Sequence, residues 1–320
     1  MNNFILIEYF TSQSNIKSEY NKEIFREALN LSNCIIRNFT KDKNIDTIHV
    51  IRNENLEKRK SKKVKYYFTN QYRSYLEVLK NFTKNTKVIL ISPETKKLSI
   101  ELFSNIKKDF NVLSSDFKCI KIFASKIDTF KHLKKYELPT VEPYKKKIRG
   151  CNYFVCKPEY DAGSSKTFLI KNPNDLDVDE PYFCQKYYTG IKGSFLMLCK
   201  NGEFKVMCCN RQIIKIKDGK ISQIGILMGG LEEYRKKIEL LAKKICKRFT
   251  GLFGIVGVDI VKYKKNWLIL EINTRFTSSY VGLKHSYTSD TIDEITYFYV
   301  NNKIKEKSNS RFIKKYKYIF

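Results

Sequence analysis

The chain has 320 residues, of which 42% are hydrophobic, and this composition excludes an intrinsically disordered polymer. Its formal net charge is +28, from 61 Lys and Arg side chains against 33 Asp and Glu side chains. No stretch of about 18 apolar residues occurs, and the opening MNNFILIEYFTS turns polar too soon for a signal peptide. We therefore expect a cytoplasmic protein that does not span a membrane.

The positive charge allows two interpretations. One is a polyanionic partner, such as a nucleic acid or an acidic membrane, and the other is a Lys-rich solvated surface. We favour the solvated surface, because no nucleic-acid-binding motif accompanies the charge and the aromatic residues mostly fall inside apolar strand patterns. Part of the charge can also serve a site for small anions.

Nine cysteines and three histidines are scattered along the chain, without a CxxC pair or another metal-ligand spacing. The odd number and the absence of a pattern disfavour a disulfide scaffold in so long a chain. The sequence therefore predicts buried free thiols.

Strand-like and helix-like segments alternate over roughly the first 115 residues. The segments are FILIE at residues 4–8, helical spacing over residues 24–35, VKYYFT at residues 64–69, residues 75–79, VILIS from Val88, and residues 98–106. This β-α order predicts an open, mostly parallel sheet.

Closely spaced strand-like runs follow between residues 152 and 220. Asn201-Gly202 and Asp218-Gly219 separate some of these runs, and such pairs are typical of tight hairpin turns. The pattern predicts an antiparallel sheet.

Two amphipathic helices flank this region. Ser125 can cap the first helix, which Pro139 ends. In the second helix apolar residues recur at helical spacing from Leu231 to Phe249, and Gly251 follows as a C-cap.

The last residues, KIKEKSNSRFIKKYKYIF, are basic and weakly patterned. We expect them to form a solvated or loosely docked tail. The predicted fold class is α/β, with an α+β carboxyl-terminal part.

A hairpin with acidic side chains follows the second helix. The runs GIVGVDIVKY and WLILEINTRF are joined by a Lys-Lys-Asn turn, and period-two alternation sends Glu271, Asn273 and Arg275 to one face. Asp259 then lies roughly opposite Glu271, so two carboxylates and an amide oxygen come together. Mg²⁺ prefers such hard oxygen ligands and usually keeps substrate phosphates in its shell.

These acidic residues also have a simpler interpretation, in which Asp259 and Glu271 form salt bridges with lysines on an exposed sheet face. Both residues, however, interrupt apolar runs, IVGVDIV and WLILEI. Charges in such runs face a largely enclosed site and need a partner. We therefore predict a metal site at Asp259, Glu271 and Asn273.

The ending GVDIV…LILEINTRFTSSY resembles the metal-binding hairpin of the ATP-grasp superfamily in spacing, order and strand context. The resemblance covers roughly Lys118 to Thr288. It implies an ATP-grasp fold, in which an amino-terminal open parallel-sheet domain precedes two subdomains that clamp ATP. The implied boundaries are residues 1–117 for the first domain, 118–188 and 189–304 for the two subdomains, and 305–320 for a basic tail.

The resemblance also implies residues that bind the nucleotide phosphates. Lys126, in ASKIDTFKHL, is similar to the first phosphate-binding lysine, and Lys157, in FVCKPEYDAGSS, to the second. Ser164 and Ser165 would belong to the flexible loop that covers the phosphates, with hydroxyl and backbone donors. Without the resemblance, Lys126 would be an ordinary helix lysine.

The segment PYFCQKYYTG is similar to the linker between the two subdomains. The likeness implies that Gln185 faces the adenine edge and that backbone groups of Lys186 and Tyr188 read it. The chain departs from the family at Lys192, where many members place a ribose-binding Glu, and in a phosphate loop with only Gly163. Ribose contacts are therefore left unassigned.

Arg211 and Lys215, in CCNRQIIKIK, are expected to point along a strand toward the same site. Arg211 together with Arg275 would neutralise charge that develops on the transferred phosphoryl group.

The activity that the resemblance implies is an ATP-dependent, ADP-forming ligation of a carboxylate to an amine through an acyl phosphate. Its cofactors would be ATP and Mg²⁺, with Mn²⁺ as an alternative metal, and its partners small-molecule carboxylates and amines; a homodimer stays open. FILIEYFTS, CNRQII and NTRFTSSYVGL are similar to the branch of tyramine–L-glutamate ligases of methanofuran synthesis. That branch implies the γ-carboxylate of glutamate and the amine of tyramine as substrates, with Arg275 and residues 277–280 near the acceptor.

Two other functions stay open. One is an ATP-grasp enzyme with another acceptor, such as an amino-acid ligase or a purine-pathway carboxylase. The other is a non-catalytic basic protein that binds a polyanion and uses the fold as a scaffold.

Overall fold

The structure is a computed structural model that describes residues 2–14, 22–144, 152–163, 166–176, 180–307 and 309–320. A parallel sheet and a larger antiparallel sheet organise these residues. No helix within the described ranges is both long enough and apolar enough to cross a bilayer.

The amino-terminal part alternates strands and helices, as the sequence pattern predicts. Its elements, in chain order, are β1 (Asn3–Glu8), α1 (Lys22–Phe39), β2 (Thr47–Asn53), β3 (Val64–Thr69), α2 (Tyr75–Leu79), β4 (Lys87–Ile91), α3 (Leu98–Lys107) and β5 (Asn111–Val112). The strands pair in parallel in the order β3-β2-β1-β4-β5. The sequence pattern identified these elements except β5 and β2, in which His49 and Arg52 interrupt the apolar run.

The chain reverses direction across this sheet beside its central strand. From β1 it continues to β2 and β3 on one side, and β4 and β5 then occupy the other side. Ligands of open parallel sheets bind in the crevice at the carboxyl ends of the strands where this reversal occurs. Glu8 ends β1 and Glu94 follows β4, so two buried carboxylates lie at this crevice.

The rest of the chain builds the antiparallel sheet and the helices that cover it. Its elements are α4 (Phe117–Ala124), α5 (Lys126–Lys135), β6 (Phe154–Pro158), β7 (Phe168–Ile170), β8 (Tyr182–Lys186), β9 (Lys192–Lys200), β10 (Glu203–Lys217), β11 (Lys220–Met228), α6 (Arg235–Arg248), β12 (Gly254–Tyr263), β13 (Asn266–Asn273), α7 (Ser279–Ser286), α8 (Ser289–Asn301) and β14 (Tyr316–Ile319). The strand order is β13-β12-β9-β10-β11-β7-β6-β8, and β14 pairs with β11.

The two predicted hairpin turns are confirmed. Asn201 and Gly202 have φ values of 51° and 85°, and Asp218 and Gly219 have φ values of 49° and 72°. A two-residue turn of this type requires positive φ at both central positions, which Asn, Asp and Gly tolerate better than other residues.

The predicted cap at Ser125 is also confirmed. Its Oγ accepts a hydrogen bond from the Asp128 backbone N–H at 3.1 Å, and α5 ends before Pro139. The preceding helix, α4, was not predicted; it begins after Asp116, whose side chain caps it.

The second predicted helix forms as α6, which packs buried residues such as Ile245 against the antiparallel sheet. It ends at Arg248, with Phe249 as its C-cap. The prediction that Gly251 caps this helix is wrong. Gly251 is instead required for a close approach, because an added Cβ would lie 2.0 Å from Asp116 Oδ2.

One pair of cysteines corrects the prediction of free thiols. Cys156 on β6 lies opposite Cys184 on β8, with the Cα atoms 4.1 Å apart, and the two form a disulfide. The sequence pattern missed the pair because strand pairing aligns residues that are 28 positions apart. The prediction is confirmed for the six other described cysteines, which are free and buried; Cys151 lies outside the described residues.

The carboxyl-terminal segment is not a loosely docked tail at its end. β14 pairs with β11 in antiparallel register, from Tyr316 opposite Met228 to Ile319 opposite Gly225. The expectation of a solvated tail is therefore wrong for residues 316–319, which cover one side of the cavity described below.

Candidate active site

The hairpin of β12 and β13 brings the predicted acidic residues together. Asp259 lies directly opposite Glu271, as the sequence predicts. Alternation along β13 places Asn273 on the same face, with its Nδ2 3.5 Å from Asp259 Oδ2. A register shift between Asp259 and Ile260 marks a β-bulge next to the pair, and bulges of this kind re-aim side chains at functional sites.

Two buried lysines bind Glu271. Lys126, at the start of α5, has its Nζ 3.1 Å from Glu271 Oε1, and Lys157, on β6, has its Nζ 3.4 Å from Glu271 Oε2. Lys126 also donates to the carbonyl oxygen of Asp161 at 2.8 Å. These contacts join α5 and β6 to the acidic hairpin at one point.

Burial and nearby charges shift the pKa values of the two carboxyl groups in opposite directions. Burial alone raises the pKa of Glu271, but the charges of Lys126 and Lys157 outweigh it and hold that pKa at about 2. Burial and the charge of Glu271 raise the pKa of Asp259 to about 7. The charges of Lys157 and Arg275 lower the pKa of Asp259 but do not offset its burial and the charge of Glu271.

Two cavity residues that the sequence did not identify lie beside Asp259. Gln212, on β10, donates from Nε2 to Asp259 Oδ1 at 2.8 Å. Ser194, on β9, is the strand partner of Asp259 and also lines the cavity. A polar residue inside an apolar strand was the available signal for Ser194, and adjacency to the predicted Arg211 was the signal for Gln212.

Arg211 lies off the cavity wall, and its predicted role at the phosphoryl group stays a prediction. Its side chain is exposed, and the cavity lining includes Gln212 but not Arg211. The physical reason is strand alternation, which turns neighbouring side chains to opposite faces of the sheet. Lys215 does line the cavity, nearer to the β10–β11 turn.

The predicted adenine-binding segment lines the same cavity. Gln185 is buried, and its Oε1 has no hydrogen-bond partner among the described residues. Lys186 and Tyr188 also line the cavity, but the Lys186 backbone N–H already donates to the Glu142 carbonyl oxygen at 2.9 Å. An unsatisfied buried acceptor such as Gln185 Oε1 is a position at which a ligand donor is expected.

Lys192 lies at the end of this segment. Its Nζ donates to the carbonyl oxygens of Tyr188 and Gly190. Burial lowers the pKa of Lys192 to about 8. The lysine thus holds the turn between β8 and β9 and borders the cavity.

Arg275 connects the hairpin to the amino-terminal sheet. Its guanidinium forms a bidentate contact with the carboxylate of Glu94: Nε donates to Oε1 at 3.0 Å and Nη2 donates to Oε2 at 2.9 Å. Burial alone lowers the pKa of Arg275, but Glu94 outweighs it and the pKa is raised. Glu94 was not predicted, because nothing local in the sequence pairs it with a residue 181 positions later.

Most of these groups line one cavity with a volume of about 1130 Å³; Lys126, Glu94 and Arg211 are not part of its lining. This volume exceeds the roughly 300–1,000 Å³ that is usual for a single small-molecule site. Its walls come from strands of the antiparallel sheet, the first turns of α1 and the end of β14. Gly163 lines it as well, whereas Ser164 and Ser165 lie outside the described residues.

The donor set fits a hard divalent cation. Asp259 and Glu271 face each other with like charge, and Asn273 adds an amide at the same point. Within the described part of the chain no cluster of three His, Cys, Asp or Glu side chains surrounds a common point. A metal here would therefore take only part of its shell from the protein, as Mg²⁺ does when substrate phosphates supply the rest.

Comparison with known proteins identifies the domain and the fold. Residues 123–279 match the family model described as an ATP-grasp domain. No curated protein matches the chain.

Among solved structures, an ATP-grasp superfamily protein from Archaeoglobus fulgidus is similar over 97% of this chain and 91% of its own, with a TM-score of 0.72 and 18% identity. A second similar structure is the biotin carboxylase domain of 2-oxoglutarate carboxylase from Hydrogenobacter thermophilus, in complex with MgADP, ADP and bicarbonate. The likeness covers 96% of this chain and 71% of that domain, with a TM-score of 0.65 and 12% identity. Phosphoribosylamine–glycine ligase from Thermotoga maritima is similar over 95% of this chain and 76% of its own, with a TM-score of 0.63 and 14% identity.

The domain match covers the segment from α4 to the start of α7, which contains the lysines and the acidic hairpin. The structural likeness extends over nearly the whole chain. Residues 123–279 thus resemble an ATP-grasp domain, and the chain has the ATP-grasp fold.

Proposed function

We propose that the chain is an ATP-dependent, ADP-forming ligase that joins a carboxylate to an amine through an acyl phosphate. The observation that carries the proposal is the environment of Glu271, which binds both Lys126 and Lys157 and faces Asp259 across the hairpin. The cavity around it exceeds the size expected for one ligand, so it has room for a nucleotide and a second substrate. The names of two similar structures, a ligase and a complex with MgADP, support this assignment.

In this proposal Lys126 and Lys157 bind the phosphates of ATP. Both now share Glu271, and the triphosphate carries more negative charge than one carboxylate, so the lysines gain electrostatic attraction by turning to it. Ser164 and Ser165 would cover the phosphates from the loop that begins at Gly163. Lys215 would approach the nucleotide from the opposite wall.

The adenine ring would lie against the β8 segment. Gln185 Oε1, buried and without a partner among the described residues, suits the exocyclic amino group of adenine. Lys186 and Tyr188 border the same space. The Lys186 amide is already engaged, so this residue would read the base through its carbonyl oxygen.

Asp259, Glu271 and Asn273 would hold Mg²⁺, with Mn²⁺ as an alternative. When bound, the metal neutralises charge on the nucleotide phosphates. The side chain of Gln212 holds Asp259 Oδ1 in place through its 2.8 Å hydrogen bond.

The reaction consists of two transfers. In the first, a carboxylate oxygen of the substrate attacks the γ-phosphorus, the O–P bond forms, the bond to the bridging oxygen breaks and ADP leaves. In the second, an unprotonated amine attacks the acyl carbon, the C–N bond forms, and the C–O bond breaks with its electron pair leaving on phosphate, which takes up the proton that the nitrogen loses. Both steps depend on positioning and charge neutralisation, and Arg275 lies where it can serve them.

The substrates we propose are L-glutamate, through its γ-carboxylate, and tyramine, as in methanofuran biosynthesis. Support comes from the resemblance of FILIEYFTS, CNRQII and NTRFTSSYVGL to that branch of ligases. Thr277 to Ser279 line the cavity beyond Arg275, which is consistent with an acceptor at that end.

A direct experiment is to incubate the full chain with Mg-ATP and with pools of carboxylates and amines, and to measure ADP release. We expect release that requires one carboxylate and one amine together, and single-compound tests then separate glutamate and tyramine from other acceptors. A pool without amines that supports full ADP release would favour a carboxylase or another ATP-grasp activity. Absence of substrate-dependent ADP from every pool, together with salt-sensitive RNA binding, would overturn the ligase proposal in favour of a polyanion-binding protein.

A further inference from the structure

We propose that Glu27, at the end of the cavity between α1 and β14, binds the ammonium group of an amine substrate whose body is apolar. The inference rests on the ligase function proposed above and assigns the residues that select its amine.

The first argument is the position of α1. Glu23, Ile24 and Glu27 line the cavity, and positions 23 and 27 lie on the same face of the helix. An added Cβ on Gly163, in the loop that follows Lys157, would lie 3.8 Å from Ile24 Cδ1. The first turns of α1 therefore lie against the phosphate-side loop, next to the place where an acyl phosphate would form.

The second argument is the local balance of charge. Arg275 interacts electrostatically with five carboxyl groups, those of Glu94, Glu27, Glu271, Glu8 and Asp259. Glu94 already forms a bidentate contact with the guanidinium. Glu8 accepts hydrogen bonds from the backbone N–H groups of Thr11 at 2.8 Å and Phe10 at 3.3 Å. Five carboxyl groups thus share the charge of one guanidinium.

Among these carboxylates, Glu27 is the one without a direct contact to a cation or a hydrogen-bond donor in the described residues. It makes no hydrogen bond and no salt bridge with any residue that the structure describes. Burial raises the pKa of Glu27 to about 7, and only the distant charge of Arg275 opposes it. A half-buried carboxylate that borders a cavity without a partner among the described residues is a position at which a cationic ligand group is expected.

The third argument is the apolar wall beside Glu27. Ile319 and Phe320 line the cavity from β14, and Ile224 and Ile226 line it from β11. A side-chain hydrogen bond between Tyr318 and Asn30 places this wall next to α1. An amine held by Glu27 would pack its body on these side chains, and burying their exposed surface would add to its affinity.

The same charges disfavour a carboxylate at this end. Glu23 and Glu27 line this end and would repel it, whereas Lys157, which lines the cavity beside Glu271, attracts anions. The two substrates are thus separated by charge, and the amine attacks only after it has given up the ammonium proton that Glu27 recognises.

The experiment uses three probes of similar shape on the full chain with Mg²⁺ and a non-hydrolysable ATP analogue. The probes are phenethylamine, which is cationic, 2-phenylethanol, which is neutral, and 3-phenylpropionate, which is anionic, and calorimetry measures their dissociation constants. We expect phenethylamine to bind about tenfold more tightly than the alcohol, and the carboxylate to bind most weakly.

Two variants make the assignment specific. Glu27→Gln should weaken phenethylamine binding by about tenfold and leave the alcohol unchanged, and Ile319→Ala should weaken both to a similar extent. Glu101→Gln, an exposed carboxylate on α3, is the matched control and should change neither.

Equal affinities for the amine and the alcohol in the unaltered chain, or unchanged phenethylamine binding in Glu27→Gln, would overturn the inference. Binding of the ATP analogue in the same titrations distinguishes this outcome from failure of the ligase proposal. If the analogue binds and the probes do not discriminate, only the amine site is wrong; if the analogue does not bind, the nucleotide site itself is wrong.

Discussion

Arg275 Nη2 lies 2.9 Å from Glu94 Oε2, and this contact connects the end of the acidic hairpin to the loop after β4. The same guanidinium faces the cavity two residues beyond Asn273. The amino-terminal part therefore contributes directly to the site, because Glu94 orients the arginine that lies next to the proposed metal ligands.

Removal of Glu94 should destabilise the fold. In Glu94→Ala the largely buried Arg275 loses the carboxylate that compensates it, and an uncompensated buried charge costs about 3 kcal/mol. Denaturant unfolding monitored by circular dichroism measures the loss. The matched control is Asp109→Ala, which breaks an exposed ion pair with Lys84 and should cost less than about 1 kcal/mol. Equal losses in the two variants would show that the pair with Arg275 does not stabilise the fold.

Glu271→Gln should abolish turnover and keep the fold. Glutamine has nearly the same shape but lacks the charge that Lys126, Lys157 and a metal require, so we expect ADP release to fall by about a thousandfold or more. Circular dichroism should stay unchanged. Glu239→Gln, on the exposed face of α6, serves as the control and should retain full activity. An active Glu271→Gln protein would contradict the metal assignment.

Mg²⁺ affinity should depend on pH through Asp259. Burial and Glu271 raise the pKa of Asp259 to about 7, so below that pH the carboxyl is mostly protonated and cannot bind the metal as an anion. The apparent affinity should therefore rise by about tenfold per pH unit up to pH 7 and then level off.

Calorimetric titration with Mg²⁺ from roughly pH 5.5 to pH 8.5, without nucleotide, measures this dependence, since the phosphates of ATP titrate in the same range. Asp259→Asn should bind weakly at every pH. A flat profile in the unaltered chain would show that Asp259 does not control metal binding.

Gly225→Ala should detach β14 from β11. An added Cβ would lie 2.5 Å from the Tyr318 carbonyl oxygen and 2.8 Å from Ile319 Cδ1, so the last strand must move. We expect amide hydrogen exchange over residues 316–319 to accelerate by about tenfold or more, with a loss of stability of about 1–3 kcal/mol.

Hydrogen exchange followed by mass spectrometry makes this measurement. Ser222→Ala lies on the same strand outside the segment paired with β14, and should leave the exchange of residues 316–319 unchanged. Slow exchange in the Gly225→Ala protein would mean that the strand tolerates the clash.

Local periodicity in the sequence determined most of the elements and the core of the site. Alternation in IVGVDIV and LILEINTR predicted that Asp259, Glu271 and Asn273 share a face, and the observed register confirms it. A carboxylate within an apolar strand must have a partner, so a few neighbouring residues were enough to predict a polar site at the hairpin. The Asn-Gly and Asp-Gly turns could also be predicted, because a two-residue turn depends only on its own two residues.

Contacts between distant segments were decided by the tertiary structure alone. The pairing of β10 with β9 directs Gln212 rather than Arg211 toward Asp259, and a local pattern does not say which face of a strand meets the site. Strand alignment also brings Cys156 to Cys184.

Glu27 and β14 reach the cavity, and Glu94 reaches Arg275, for the same reason. Their positions follow from how the parallel sheet, α1 and the end of the chain pack against the antiparallel sheet. These elements are far apart in the sequence, and local periodicity carries no information about such contacts. The sequence by itself thus determined the chemistry at the acidic hairpin, and the packing of distant elements decided which further groups surround it, because side-chain period is a local property and proximity in space is not.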